Sequence, residues 1–177
     1  MSKTKKLTLS ALFIALGIIL PFFTGQVPHF GNMLLPMHIP VLLCGFVCGN
    51  PYGLLVGAII PLLRSILLSR PVMMPTAAAM TVELATYGVV SGLLYARLYK
   101  KKTGIYISLI TAMIVGRITW GITSLILYHI LGNPFTFELF AAEAFVNATP
   151  GIIVQLILIP SIVYALNKAN LLDFTKH

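Results

Sequence analysis

The sequence predicts an all-α membrane protein, a single bundle of six transmembrane helices across residues 1–177 with a pocket open to the extracellular side. Three observations predict this class. Of the 177 residues, 58% are hydrophobic and only 9% are charged, whereas a soluble domain carries about 25% charged residues. Apolar runs recur with nearly the length that a bilayer requires, about 17–25 residues. The net charge of +8 is concentrated at the ends of these runs, where topology signals lie, so it does not indicate a nucleic-acid partner.

The six runs are delimited in order by charge and turn chemistry. Lys3, Lys5 and Lys6 precede the first run; no small-residue cleavage site follows it, so we interpret it as a retained helix and not as a signal peptide. The second run is short, and Asn-Pro followed by Gly in the stretch GNPYG separates it from the third by a turn. The fourth begins at a proline, the fifth follows a basic cluster, and the sixth ends at a lysine. The predicted helices cover about residues 7–23, 37–49, 52–69, 75–99, 104–131 and 144–167.

The distribution of basic residues predicts the orientation. Nine lysines and arginines outside the spans fall on one side of the six-helix topology, against Arg70 on the other. The positive-inside rule makes the basic side cytoplasmic, which predicts a multi-pass protein of the bacterial cell membrane with both termini inside. The external connection at 22–36 is long for a hairpin. It is either a passive loop or a lid over an external pocket, since long loops are often functional.

Three charged residues lie inside the predicted spans: Arg64, Glu83 and Arg117. A charge at the bilayer centre costs about 2.5–3.5 kcal/mol on insertion scales and is a functional candidate by default. From the predicted orientation they lie roughly 8, 12 and 20 Å below the external ends of their helices. Helical spacing adds further polar and aromatic residues on the same faces. The candidate substrate-binding residues are Arg64, Glu83, Arg117, Trp120, Asn147, Tyr87, His38 and Gln155.

Structural alternatives exist for several of these residues. Arg64 and Glu83 form a plain ion pair in one alternative. Arg117 then has no obvious partner, and an unmatched deep arginine is expected to await a carboxylate or phosphate of a ligand. Trp120 and Tyr87 are either core aromatics or surfaces that stack on a ring. His38, which opens the second helix, also has an interfacial interpretation.

No motif for autonomous chemistry is present. The sequence has no HExxH, no glycine-rich phosphate loop and no GxSxG. Cys44 and Cys48 are four residues apart, but no nearby histidine or carboxylate completes a metal site, and no cofactor is expected. Two other classes stay open: a small membrane enzyme that uses Glu83 with His38 or His129, and an assembly subunit whose arginines bind lipid head groups.

Two stretches resemble a known family. LSALFIA at 9–15 has an Ala-xxx-Ala pattern at Ala11 and Ala15, and LLPMHIPVLLCGFVCGNPYG at 34–53 is similar to a helical hairpin of the substrate-binding S components of energy-coupling factor (ECF) transporters. The resemblance implies capture of a water-soluble vitamin or related micronutrient at the external face. It also implies a partner interface at Ala11 and Ala15 for a transmembrane T component, which acts with two ATPase subunits. The vitamin stays open between pantothenate-like and pyridoxine-like molecules, with folate also possible; two arginines against one glutamate favour an anionic or zwitterionic ligand.

Overall fold

The fold is all-helical over the part of the chain that the computed structural model describes, residues 1–24, 33–101 and 103–169. The helices are α1 (Lys3–Thr24), α2 (His38–Cys48), α3 (Asn50–Leu68), α4 (Ala78–Leu98), α5 (Gly104–Ile130), α6 (Phe137–Ala141) and α7 (Thr149–Lys168). The segment Met73–Ala77, in which the backbone of Met74 is extended, leads into α4, and the π-helical turn Ala142–Val146 leads into α7. Five of the helical segments are long and apolar enough to cross a bilayer, and α2 is a shorter apolar helix. The predicted all-α membrane fold is therefore confirmed.

The outer surface of the bundle is apolar, as contact with lipid tails requires. On α5 the exposed side chains recur every three or four residues, which is the period of one helix face. They are Ile107, Ile110, Ile114, Ile118, Ile122, Leu125 and Ile126. The opposite face of the same helix is buried and carries small and polar residues. The chain thus places its polar side chains toward the protein interior and leaves hydrocarbon outside.

The second and third helices are separate, as the turn chemistry predicts. Gly49 lies between them with φ of 95°, a backbone conformation that glycine adopts without a Cβ penalty. Small residues also let α3 approach α4 closely: a Cβ on Gly53 would lie 2.6 Å from the carbonyl oxygen of Gly88. Without a hydrophobic driving force inside the bilayer, such close backbone packing is a main source of helix association.

The helices around α4 define where a site can form. The helix α4 packs against α2, α3 and α5, while α7 packs against α2 and α5. Within the described residues, α2 and α5 have little or no direct contact with each other, and the same holds for α4 and α7. The helices α2, α4, α5 and α7 therefore form a four-helix ring, and α1 and α3 lie outside it. Side chains that point into this ring meet those of three other helices.

The segment before α7 differs from the sequence prediction. A loop was expected up to residue 144, but α6 begins at Phe137 after Thr136, whose Oγ1 accepts a hydrogen bond from the backbone N–H of Leu139 at 3.2 Å. A threonine at the N-cap satisfies one of the free N–H groups of the first turn. Thr136 followed by an acidic residue was the sequence signal for this start. The first helix also begins earlier than predicted, at Lys3, because exposed lysines extend a helix beyond its apolar part.

Candidate substrate-binding site

A buried carboxylate on α4 is the centre of the candidate site. Glu83 is only 1% exposed, and its Oε1 lies 2.9 Å from Nη1 of Arg117 on α5. The same oxygen lies 3.5 Å from Nε2 of His38 on α2. Three helices of the four-helix ring therefore bring their polar side chains to one point. Polar side chains of several helices that meet inside a membrane protein are a candidate for a functional site.

Tyr87 completes this cluster. It follows Glu83 by one helical turn, is 1% exposed, and its ring centroid lies 5.3 Å from that of His38 at an interplanar angle of 58°. Its ring also packs directly on Gly116, where a Cβ would overlap the ring. We call His38, Glu83, Tyr87 and Arg117 the polar core.

The pairing within the polar core corrects one expectation. Arg117 has a carboxylate partner, so its description as an unmatched arginine was wrong. The cause is the length of α5, which continues beyond the start of α4 and thereby brings Arg117 to the same depth as Glu83. His38 is buried among the helices, with 1% exposure, and its position relative to the membrane interface stays a prediction. His129, by contrast, is exposed near the end of α5.

Arg64 does not join the polar core. It lies on α3, outside the four-helix ring, is half-buried, and its guanidinium lies 5.8 Å from the ring centroid of Phe22. The alternative of an Arg64–Glu83 ion pair is therefore wrong. A cation over an aromatic ring is attracted by the ring quadrupole, which gives Arg64 a favourable position without a carboxylate.

Trp120 and Asn147 also lie apart from the polar core. The Trp120 ring stacks on Phe140 at 6.1 Å and meets Phe135 edge-on at 6.0 Å, so it belongs to an aromatic cluster around α6. The amide of Asn147 donates to Oε1 of Glu143 at 3.0 Å on the surface. The partners that the structure gives these two residues are thus other protein side chains.

Gln155 lies on α7, the fourth helix of the ring, and is 1% exposed. One turn before it, Gly151 receives the backbone of the segment that leads into α2: a Cβ there would lie 2.6 Å from the carbonyl oxygen of Met33. Met33 and Leu34 therefore pack directly on α7 beside Gln155, while residues 25–32 of the external connection, for which a lid is one interpretation, lie outside the described residues.

Several buried polar atoms of these residues lack a hydrogen-bond partner within the described part of the chain. They are Nδ1 and Nε2 of His38, Oε1 of Glu83, Nε and Nη2 of Arg117, and Nε2 of Gln155; Nε of Arg64 and Oγ of Ser108 also lack a partner. The short contact between Glu83 and Arg117 is accordingly an ion pair by distance, without the angle of a directed hydrogen bond. A buried donor or acceptor left unpaired costs about 1–3 kcal/mol. So many unpaired groups in one ring indicate a place where another molecule supplies the partners.

Two surface hollows formed by described residues lie away from the polar core. One of about 400 Å³ is lined by Ile118, Phe137 and neighbouring apolar residues of α5 and α6. Another of about 370 Å³ lies against the outer side of α3 and α4. Neither is lined by the polar core, so the outward pocket of the sequence analysis stays a prediction.

The predicted partner surface is on α1. Ala11 and Ala15 are both exposed, on a helix side that also carries exposed Leu12 and Ile19. No other helix of the described residues covers this side, so another protein can approach it closely. Its role as an interface stays a prediction.

Sequence reasoning missed one residue of the site, Gly116. Its missing side chain leaves the room that the Tyr87 ring occupies beside Arg117. The signal was a glycine directly before an intramembrane arginine.

Comparison with known proteins decides the family. A family model described as "ECF transporter, substrate-specific component" matches residues 5–167. The chain belongs to this family. The resemblance drawn from Ala11, Ala15 and the helical hairpin is thereby confirmed. Searches among curated proteins and among solved structures give no match.

As an ECF substrate-specific component, the protein is a multi-pass membrane subunit for substrate capture by an importer. The family is a transporter component and not an enzyme family. The polar core is then best described as a candidate for the place where the S component holds its substrate.

Proposed function

We propose that this S component captures a water-soluble vitamin or related micronutrient, pantothenate-like or pyridoxine-like, in the polar core. One observation carries the proposal: unpaired buried donors and acceptors from α2, α4, α5 and α7 gather in a single ring of helices. Binding sites for small molecules combine apolar walls with a few placed polar groups. His38, Arg117 and Gln155 supply those groups here, and Tyr87 supplies an aromatic wall.

The substrate enters from the external side. The nine basic residues outside the spans favour a cytoplasmic side for both termini, in line with the proposed location in a bacterial cell membrane. His38, at the first turn of α2, then lies toward the external end of the bundle. Met33 and Leu34, which precede α2, pack on Gly151, so these two residues are in position to cover the substrate from that side.

Energy for release comes from partner proteins. The sequence carries no nucleotide-binding motif, and a transmembrane T component with two ATPase subunits supplies the driving force. Ala11 and Ala15 form the contact with the T component, because small exposed residues allow helices to approach closely within a bilayer.

Ligand-dependent stabilisation of the purified protein tests the capture function. A vitamin present at a hundred times its dissociation constant is expected to stabilise the fold by about 2.7 kcal/mol, seen as a raised midpoint of thermal unfolding. Gln155→Leu removes an unpaired amide without breaking the ion pair, so it is expected to reduce this stabilisation. Arg64→Gln is the matched control within another span and is expected to retain it.

Two results would contradict the proposal. One is the absence of stabilisation by any water-soluble vitamin. The other is loss of stabilisation in Arg64→Gln with full retention in Gln155→Leu, which would place the ligand near α3 and outside the four-helix ring.

A further inference from the structure

We infer that the substrate held by the polar core is an uncharged molecule with several hydrogen-bonding groups, and not a carboxylate, a phosphate or a cation. This inference rests on the proposed capture function and narrows its substrates to uncharged molecules such as pyridoxine, which excludes pantothenate itself. It follows from the charge balance of the site, which the structure changes relative to the sequence analysis.

The charge of Arg117 is already compensated. Its Nη1 lies 2.9 Å from Oε1 of Glu83, and both side chains are buried. A carboxylate bound to Arg117 would therefore lie beside Glu83, and two carboxylates that share one site repel each other. Displacing Glu83 from Arg117 would leave a buried charge without its partner, which is strongly unfavourable. A cationic substrate beside Arg117 would likewise be repelled by a like charge, that of the guanidinium group.

Among the described residues, no second arginine or lysine lies beside Arg117 in the ring to hold an anion. Arg64 lies outside the four-helix ring on α3, against Phe22. The other charged side chains on the helices of the ring, Arg97 and Lys168, are exposed at the far ends of α4 and α7. The formal charges of Arg117 and Glu83, +1 and −1, therefore cancel within the described part of the ring.

The unpaired atoms specify the groups that the substrate presents. Arg117 offers N–H donors at Nε and Nη2, and Gln155 offers donors at Nε2. The two ring nitrogens of His38 also lack a hydrogen-bond partner, whereas Oε1 of Glu83 already faces Nη1 of Arg117 and Nε2 of His38. A complementary substrate has two or more acceptors, such as hydroxyl, carbonyl or ring-nitrogen atoms, and at least one O–H or N–H donor. Neutral polyols, amides and hydroxylated heterocycles have this pattern.

Matched pairs of vitamins that differ in charge at one group test the inference. The pairs are panthenol with pantothenate, nicotinamide with nicotinate, and pyridoxine with 4-pyridoxate, and thiamine serves as a cationic probe. Dissociation constants are measured with the purified wild-type protein in detergent. Within any pair that binds, the neutral member is expected to bind at least tenfold more tightly, and thiamine is expected not to bind.

The Glu83→Gln variant provides a second readout. It frees the charge of Arg117 and keeps the shape of the side chain, so the preference is expected to shift toward the anionic member of the same pair by tenfold or more. Gln155→Leu is the control, because it leaves the charge balance intact and is expected to keep the neutral preference even where affinity falls.

The possible outcomes separate the two proposals. Tighter binding of an anionic member or of thiamine to the wild-type protein would overturn the inference while the capture function stands. An unchanged preference in Glu83→Gln would also overturn it, because Glu83 would then not be the group that sets the charge selectivity. Absence of binding by every probe would refute vitamin capture. It would also refute this inference, which depends on that function.

Discussion

Removing one partner of the Glu83–Arg117 ion pair is expected to destabilise the protein much more than removing both. The single variants are Glu83→Met and Arg117→Met, and the double variant carries both changes. Each single variant leaves one charge buried, since the two side chains are 1% and 8% exposed. The double variant leaves no charge at this position.

The expected size follows from the burial and the 2.9 Å distance between Nη1 and Oε1. Breaking a buried ion pair from one side costs about 3–5 kcal/mol, whereas replacing both partners with apolar residues is often nearly neutral. In Arg117→Met, Glu83 keeps its contact with His38 at 3.5 Å. The free-energy cost of this variant is therefore expected at the lower end of the range. The loss of unfolding free energy in the double variant is expected to be smaller than the sum of the two single losses by at least about 2 kcal/mol.

Unfolding in mixed detergent micelles measures these free energies. The chain contains a single tryptophan, Trp120, whose fluorescence reports on its packing with Phe140, and circular dichroism follows the helices independently. Arg64→Met is the matched control, and because Arg64 is half-buried over Phe22 it is expected to cost about 1 kcal/mol or less. Additive effects of the two single variants, or an equally large effect of Arg64→Met, would refute the assignment of the ion pair.

Three further predictions concern packing and the partner surface. Gly88→Leu is expected to lower the free energy of unfolding by at least about 1–3 kcal/mol, because its side chain would overlap the backbone of Gly53; an unchanged unfolding midpoint would contradict the close approach of α3 and α4. Trp120→Ala is expected to lower the midpoint of thermal unfolding without changing the dissociation constant of a bound vitamin, since the Trp120 ring packs on aromatic side chains. A tenfold weaker affinity would show that Trp120 belongs to the binding site. Ala11→Leu is expected to abolish uptake in cells that contain the T component and ATPases while vitamin binding persists. The control Ala165→Leu changes another exposed alanine and is expected to transport normally, so normal uptake by Ala11→Leu would refute the α1 interface.

The order and extent of the spanning helices were predictable because they depend on local properties. Apolar length fixes a span, and the conformation of Gly49 depends on the turn chemistry of its own neighbours. The short helix α6 was missed, because five residues carry too weak an apolar signal to be distinguished from a loop. The depth of each polar residue could be predicted only relative to the end of its own helix. Because α5 extends further than α4, such depths did not identify Arg117 as the partner of Glu83.

By itself, the sequence determined that the chain is a helical membrane protein, that polar side chains lie within its spans, and that it is similar to ECF S components. Only the tertiary structure decided which of two arginines reaches Glu83. Helical periodicity tells which residues share a face, but not which helix that face meets, because neighbours are selected by close packing such as that of Gly53 against Gly88. That packing keeps α3 and Arg64 outside the ring and lets α5 bring Arg117 into it, which changes the expected charge of the site from positive to neutral.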